Sequence, residues 1–244
     1  MLIAALRSLI TYVAVSLYVL VIGPIGMGLA LLFRWKDLLY ILGHLGVKLA
    51  LVCSGITFRV EGRGQAPQGG AVYCSNHQSN VDPPVLFDAL HPRLHILYKA
   101  ELNRIPILTH AFRLGGFIPV DRYHKEAAMR AIDKGARSIR SGNSFLIFPE
   151  GTRSKTADLL PFKKGGFIMA IKAQAPIVPV AITGGRDAMR RGSLLVYPVH
   201  IRVRVGAPIP TVGLTLDQRD VLIARTRAAM AALLERGAEM EQVR

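Results

Sequence analysis

Ser8 to Phe33, SLITYVAVSLYVLVIGPIGMGLALLF, is a run of 26 residues without a charge, bounded by Arg7 and Arg34. About 20 apolar residues are enough to cross a bilayer, so the run must meet lipid or be packed on every side. It is too long for the core of a cleaved signal peptide, and no convincing small-residue cleavage site closes it. Gly23-Pro24 falls in its middle, and an interior proline removes a donor and clashes one turn back. A helix limited to residues 8–22 would be about 22 Å long, short of the roughly 30 Å hydrocarbon core. A second apolar stretch, LLYILGHLGVKLALVCSGI at residues 38–56, is interrupted by His44 and Lys48. Basic residues flank the first run on both sides, so charge selects no orientation. Two arrangements stay open: one tilted transmembrane helix, or a kinked helical hairpin dipping into one leaflet. The hairpin leaves the rest of the chain on the same side as Met1, and it is carried forward as a membrane anchor over residues 1–56.

From Thr57 onward the texture changes to short β-like runs separated by turns and helical patterns. TFRVEG, AVYCSN, LHILYKA, GFIPVDR, SFLIF, PIVPVAIT and HIRVRVGAPI read as strands. Arg202 and Arg204 alternate with Ile201, Val203 and Val205, which predicts one wet face for the last of these. PPVLFDAL, IPILTHAFRLG, YHKEAAMRAIDKGARSIRSG and GGFIMAIKAQ read as helices, and a final helix starts near Thr215, which has capping-box spacing to Gln218. This alternation predicts an α/β domain over residues 57–244, a mixed, largely parallel sheet flanked by helices. Cys53 and Cys74 supply no disulfide framework, which fits a reducing cytoplasmic face. The net charge of +15 favours anionic partners: phospholipid headgroups, phosphorylated metabolites or an acidic carrier protein. Nucleic acid is set aside, because aromatics make up 7% of residues and do not interleave with the basic ones.

No nucleophile elbow, dinucleotide fingerprint, P-loop or HExxH zinc motif is present. His91 and His95 are separated by Pro92 and lack a supporting carboxylate, so no metal is assigned there. Three segments at strand ends hold the candidate chemistry, where open α/β sheets bind ligands. In NHQSNVD, His77 can accept a proton near neutral pH and Asp82 can fix its tautomer if the loop brings them together. Asp82 directly before Pro83 also reads as a helix N-cap, and the two roles are compatible. In FPEGTRS, Arg153 offers a planar donor fork, Gly151 and Thr152 add donors to the same anion, and Glu150 stands beside them. Lys99, Arg104, Arg113 and Arg122 add positive charge in the third segment, with Lys163 and Lys164 downstream.

In order and approximate spacing, NHQSNVD, GGFIPVDR, FPEGTRS and APIVPVAI resemble the four blocks of the glycerolipid acyltransferase family, especially its 1-acylglycerol-3-phosphate acyltransferases. The resemblance covers about Ala71 to Thr183, and an apolar N-terminal anchor suits it. It implies that His77 and Asp82 are the catalytic pair and that Glu150, Gly151, Thr152 and Arg153 bind the substrate phosphate. It implies that Arg122 belongs to the acceptor site; Lys99 and Asn76 stand as supporting residues, and IVPV is associated with the acyl side. The implied reaction moves a fatty acyl group from a thioester of coenzyme A or acyl carrier protein to the sn-2 hydroxyl of lysophosphatidic acid. His77 would be the general base, with no cofactor, at a membrane whose cytoplasmic face carries the catalytic domain. The rival readings are a family member acting on glycerol 3-phosphate or another lysolipid, and a non-catalytic membrane protein binding anionic lipid.

Overall fold

The computed structural model describes residues 2–90, 93–121, 123–156 and 158–242, with side chains described as far as 235. Two apolar helices, α1 (Leu2–Leu32) and α2 (Asp37–Ser54), come first. The body follows as β1 (Thr57–Glu61), β2 (Val72–Ser75), α3 (Asp82–Leu90), β3 (Leu94–Lys99), α4 (Pro106–Leu114), β4 (Ile118–Val120) and α5 (Lys125–Arg140). It continues with β5 (Ser144–Ile147), α6 (Gly165–Ala173), β6 (Ile177–Thr183), α7 (Gly185–Ala188), β7 (His200–Val205) and α8 (Arg219–Gln242). All seven strand runs read from the sequence join one sheet, in the order β1-β7-β6-β2-β5-β3-β4. Every pairing is parallel except β6 with β7, which is antiparallel. The sheet is therefore mixed and largely parallel, as expected.

Alternation along the strands sends side chains into two cores. On one face Tyr73, Leu146, Val180 and Ile201 pack with Tyr40 and Leu51 of α2 and Val85 to Phe87 of α3. On the other, Val72, Cys74, Phe145 and Ile177 meet α5, α6 and α8 through Ile132, Ala136, Phe167, Met169 and Leu222. Thr215 and Gln218 form the expected capping box ahead of α8. The wet face expected for β7 is not seen: Arg204 is buried, its Nε donating to Glu61 Oε2 at 3.0 Å across the parallel β1 pairing. A carboxylate at the matching register position is what admits the guanidinium into the layer.

The N-terminal helices form a hairpin, but α1 runs through Gly23-Pro24 without interruption. One missing donor does not end it, because close packing holds the turns on both sides. A Cβ on Gly23 would press on Ile107 of α4, and one on Gly26 would overlap Leu42 of α2. Tyr18 donates to Leu42 O at 2.8 Å and joins the two helices, and Tyr40 donates to Gly115 O at 2.5 Å and fastens the hairpin to the domain. At about 1.5 Å per residue α1 is about 46 Å long, and Leu6, Leu9, Leu17 and Leu20 along it are all more than half exposed.

Candidate active site

Parallel pairing brings the C-terminal ends of β2, β5 and β6 to one edge, and the candidate residues leave from there. β2 ends at Ser75, and Asn76 replaces the next ladder position with its side chain. Its Nδ2 donates to Ile182 O at 2.9 Å, and its Oδ1 accepts Ile182 N–H at 2.8 Å. That buried double bond fixes the point at which the chain turns out of the sheet toward His77.

The turn closes on a carboxylate. Asp82 Oδ2 accepts from His77 Nδ1 at 3.0 Å, from Gln78 N–H at 2.6 Å and from Ser79 N–H at 2.7 Å. Asp82 is fully buried, and the His77 side chain is 16% exposed. Asp82 is thus not a cap for α3, contrary to the sequence expectation. The positions after it are Pro83 and Pro84, which have no N–H, and Val85 N–H already bonds to Val81 O. With nothing ahead to cap, the carboxylate turns back and binds the loop that carries His77. Nδ1 faces a carboxylate, so the neutral imidazole holds its proton there and keeps the Nε2 lone pair available. Phe148 stacks on the ring at 4.2 Å between centroids, fixing its plane. Among the described residues Nε2 has no hydrogen-bond partner.

The FPEGTRS turn braces the same loop. Glu150 is buried; its Oε1 accepts His77 N–H at 3.0 Å and its Oε2 accepts Leu160 N–H at 3.0 Å. Burial pushes its carboxyl above the usual range, partly offset by those two N–H donors. Both Glu150 oxygens are thus engaged by backbone N–H groups, one of them that of His77. Ser154 N–H donates to His77 O at 2.8 Å, so the histidine is held at both its amide and its carbonyl. Gly151 adopts φ +71°, a turn that suits glycine, and places Thr152 at the surface and Arg153 half-buried beside it. The Arg153 guanidinium makes no ion pair among the described residues. Lys163 runs alongside Gly151 and donates its N–H to Pro149 O at 2.6 Å, adding a cation to the turn. Lys99 instead pairs with Glu101 at 3.0 Å on the surface, and Arg122 lies outside the described residues.

Sequence reasoning missed three neighbours. Ser79 Oγ donates to Met189 O at 2.8 Å and ties the histidine loop to the end of α7. Gly185, the first residue of α7, lies so close that a Cβ there would overlap Asp82 Oδ1. The Gly184-Gly185 pair after β6 was the only available signal, and a glycine pair alone reads as a loop. The third is a cavity of about 450 Å³ beside Pro83 and Pro84, lined by apolar residues including Val15, Gly43, Ala111 and Phe112.

A family model described as Acyltransferase matches residues 57–183. A 1-acyl-sn-glycerol-3-phosphate acyltransferase of Limnanthes douglasii is 34% identical over 200 residues, covering 80% of this chain and 71% of that protein. The beta form from Homo sapiens is 36% identical over 160 residues, 65% of this chain and 58% of that protein. The crystal structure of the 1-acyl-sn-glycerophosphate (LPA) acyltransferase PlsC from Thermotoga maritima superposes with a TM-score of 0.82, covering 100% of this chain and 98% of that one. At 22% identity that likeness is one of fold. The family match spans more than half of the residues, including both the histidine loop and the FPEGTRS turn, and the chain belongs to the acyltransferase family.

Proposed function

We propose that the protein transfers a fatty acyl group from a thioester to the sn-2 hydroxyl of lysophosphatidic acid, giving phosphatidic acid. The observation that carries the reading is the His77–Asp82 contact at 3.0 Å, in a loop braced by the turn that bears Arg153. His77 Nε2 takes the hydroxyl proton as the oxygen attacks the thioester carbonyl carbon. The buried Asp82 carboxylate stabilises the imidazolium that forms. The tetrahedral adduct collapses, the carbon–sulfur bond breaks, and the departing thiolate takes the proton from Nε2. A thioester is already activated, so no serine or cysteine nucleophile is required. Arg153, with donors from Gly151 and Thr152 and the nearby Lys163 ammonium, binds the acceptor phosphate.

The apolar cavity beside Pro83 supports a fatty chain as part of the ligand, since its walls are almost free of polar groups. The outer face of α1 supports a hairpin lying in one leaflet, with the site at the interface where an amphiphilic acceptor is concentrated. On this reading residues 1–56 anchor the catalytic domain of residues 57–244 at the cytoplasmic face. The relatives' activity on 1-acylglycerol 3-phosphate supports that acceptor over glycerol 3-phosphate. Purified protein given lysophosphatidic acid, glycerol 3-phosphate and lysophosphatidylcholine, each with acyl-coenzyme A and with acyl carrier protein thioester, tests the reading. Product from lysophosphatidic acid should dominate; preferential acylation of another acceptor would replace this assignment.

A further inference from the structure

Arg190 to Leu195, RRGSLL, belongs neither to the sheet nor to the apolar hairpin, and the reaction leaves it without a role. Ser193 N–H closes the turn on Arg190 O at 3.0 Å, and Gly192 takes φ +83° within it. Arg190 and Arg191 are exposed, and Leu194 is 77% exposed at the far side of the turn.

The segment is fastened at both ends, which fixes where Leu194 stands. On the catalytic side, Met189 O accepts from Ser79 Oγ at 2.8 Å and Arg191 Nη1 donates to Arg153 O at 3.3 Å. On the hairpin side, Tyr12 Oη donates to Leu194 O at 2.7 Å and Val196 N–H donates to Ser8 Oγ at 2.8 Å. A bare leucine, two arginines and the apolar outer face of α1 therefore form one continuous surface beside the active site, with Leu9 and Val13 next along the helix. An apolar tip flanked by cations matches the boundary of an anionic bilayer, where headgroup charge overlies hydrocarbon.

We propose that residues 190–195 are a membrane contact additional to the hairpin, with Leu194 entering the apolar edge of the bilayer and Arg190 and Arg191 engaging anionic headgroups. The inference rests on the hairpin meeting that same bilayer. It gives the catalytic loop a direct mechanical link to the lipid surface, through Ser79, Met189 and the turn.

The chain has a single tryptophan, Trp35 at the tip of the hairpin, and this makes the test direct. Full-length wild type reports on the hairpin, and Leu194→Trp in a Trp35→Phe background reports on the turn. Each is mixed with phosphatidylglycerol–phosphatidylcholine vesicles whose acyl chains carry bromine, which quenches tryptophan only in the hydrocarbon. Both fluorophores should be quenched and blue-shifted. Arg190→Gln and Arg191→Gln should each weaken partitioning to the anionic vesicles about fivefold, and leave partitioning to pure phosphatidylcholine unchanged. Quenching of wild type with a water-exposed, unquenched signal from the Leu194→Trp protein overturns this proposal and leaves the hairpin reading standing. Absence of quenching in both overturns the hairpin reading as well. A Leu194→Trp signal that changes only on adding acyl carrier protein assigns the turn to the donor and overturns the lipid contact.

Discussion

Asp82→Asn separates the charge of this residue from its shape. The carboxylate holds three hydrogen bonds on Oδ2 and none on Oδ1, which is buried beside Gly185. An asparagine oxygen at the Oδ2 position can still accept from Gln78 N–H, Ser79 N–H and His77 Nδ1–H. The opposite flip would set its amino group against two backbone donors, so the orientation and the histidine tautomer are both preserved. Its amino group is then buried without an acceptor, which costs about 1–3 kcal/mol. For a domain of this size that lowers Tm by roughly 2–4 °C per kcal/mol, and the protein stays folded. Catalysis loses more. Charges centred about 4 Å apart interact by about 4 kcal/mol at an effective dielectric near 20. Once the amide dipole recovers part of that, roughly 3 kcal/mol of imidazolium stabilisation is gone, a fall in kcat of about 10²–10³. The assay is mass-spectrometric quantitation of phosphatidic acid at saturating substrates, beside a thermal melt of the same preparation. A folded Asp82→Asn protein with kcat within tenfold of wild type would refute the catalytic use of the charge and leave Asp82 a purely structural loop clamp.

Gly185→Ala forces a methyl into Asp82 Oδ1 and should lower kcat about 10–100-fold with the acceptor KM unchanged; in an Asp82→Ala background it should cost nothing further, and additive effects would refute the coupling. Glu150→Gln loses one of two backbone acceptances, and its pH dependence has a definite sign. Because the wild-type carboxyl is raised above its unfolded value near 4.5, its stability contribution is complete below that pH and is lost as pH rises through the folded value. Urea melts should therefore show the wild type losing stability relative to Glu150→Gln over that interval, and a flat difference would contradict the assignment. Ala111→Phe narrows the cavity and should shift donor preference toward shorter acyl chains; an unchanged profile across a series of acyl-coenzyme A donors would remove the cavity from the substrate path.

The strand-and-helix series was legible because both cores follow from local periodicity, as β2 illustrates with Val72 and Cys74 to one side and Tyr73 to the other. The histidine and the FPEGTRS turn were legible as residue types at strand ends. Their division of labour was not. Glu150 reads as a phosphate-site residue next to Arg153, yet consecutive side chains at a turn diverge, and it points inward to the His77 amide. The double proline after Asp82 held the clue to its reversal, since it strips α3 of donors to cap. Gly185 and the cavity stayed hidden because each depends on residues far apart in sequence meeting in space. Arg204 is the same case, its burial decided by a glutamate 143 positions away. Pro24 was over-read, because tertiary packing carries α1 through a single missing hydrogen bond.

The proposed mechanism depends above all on His77 Nε2 acting as the base that activates the acceptor hydroxyl. Its most direct test is the turnover of His77→Ala on lysophosphatidic acid and an acyl thioester, measured beside acceptor binding to the same protein. With Nε2 removed, kcat should fall by about 10²–10⁴ while lysophosphatidic acid still binds with near wild-type affinity. A folded variant that turns over at the wild-type rate would contradict it.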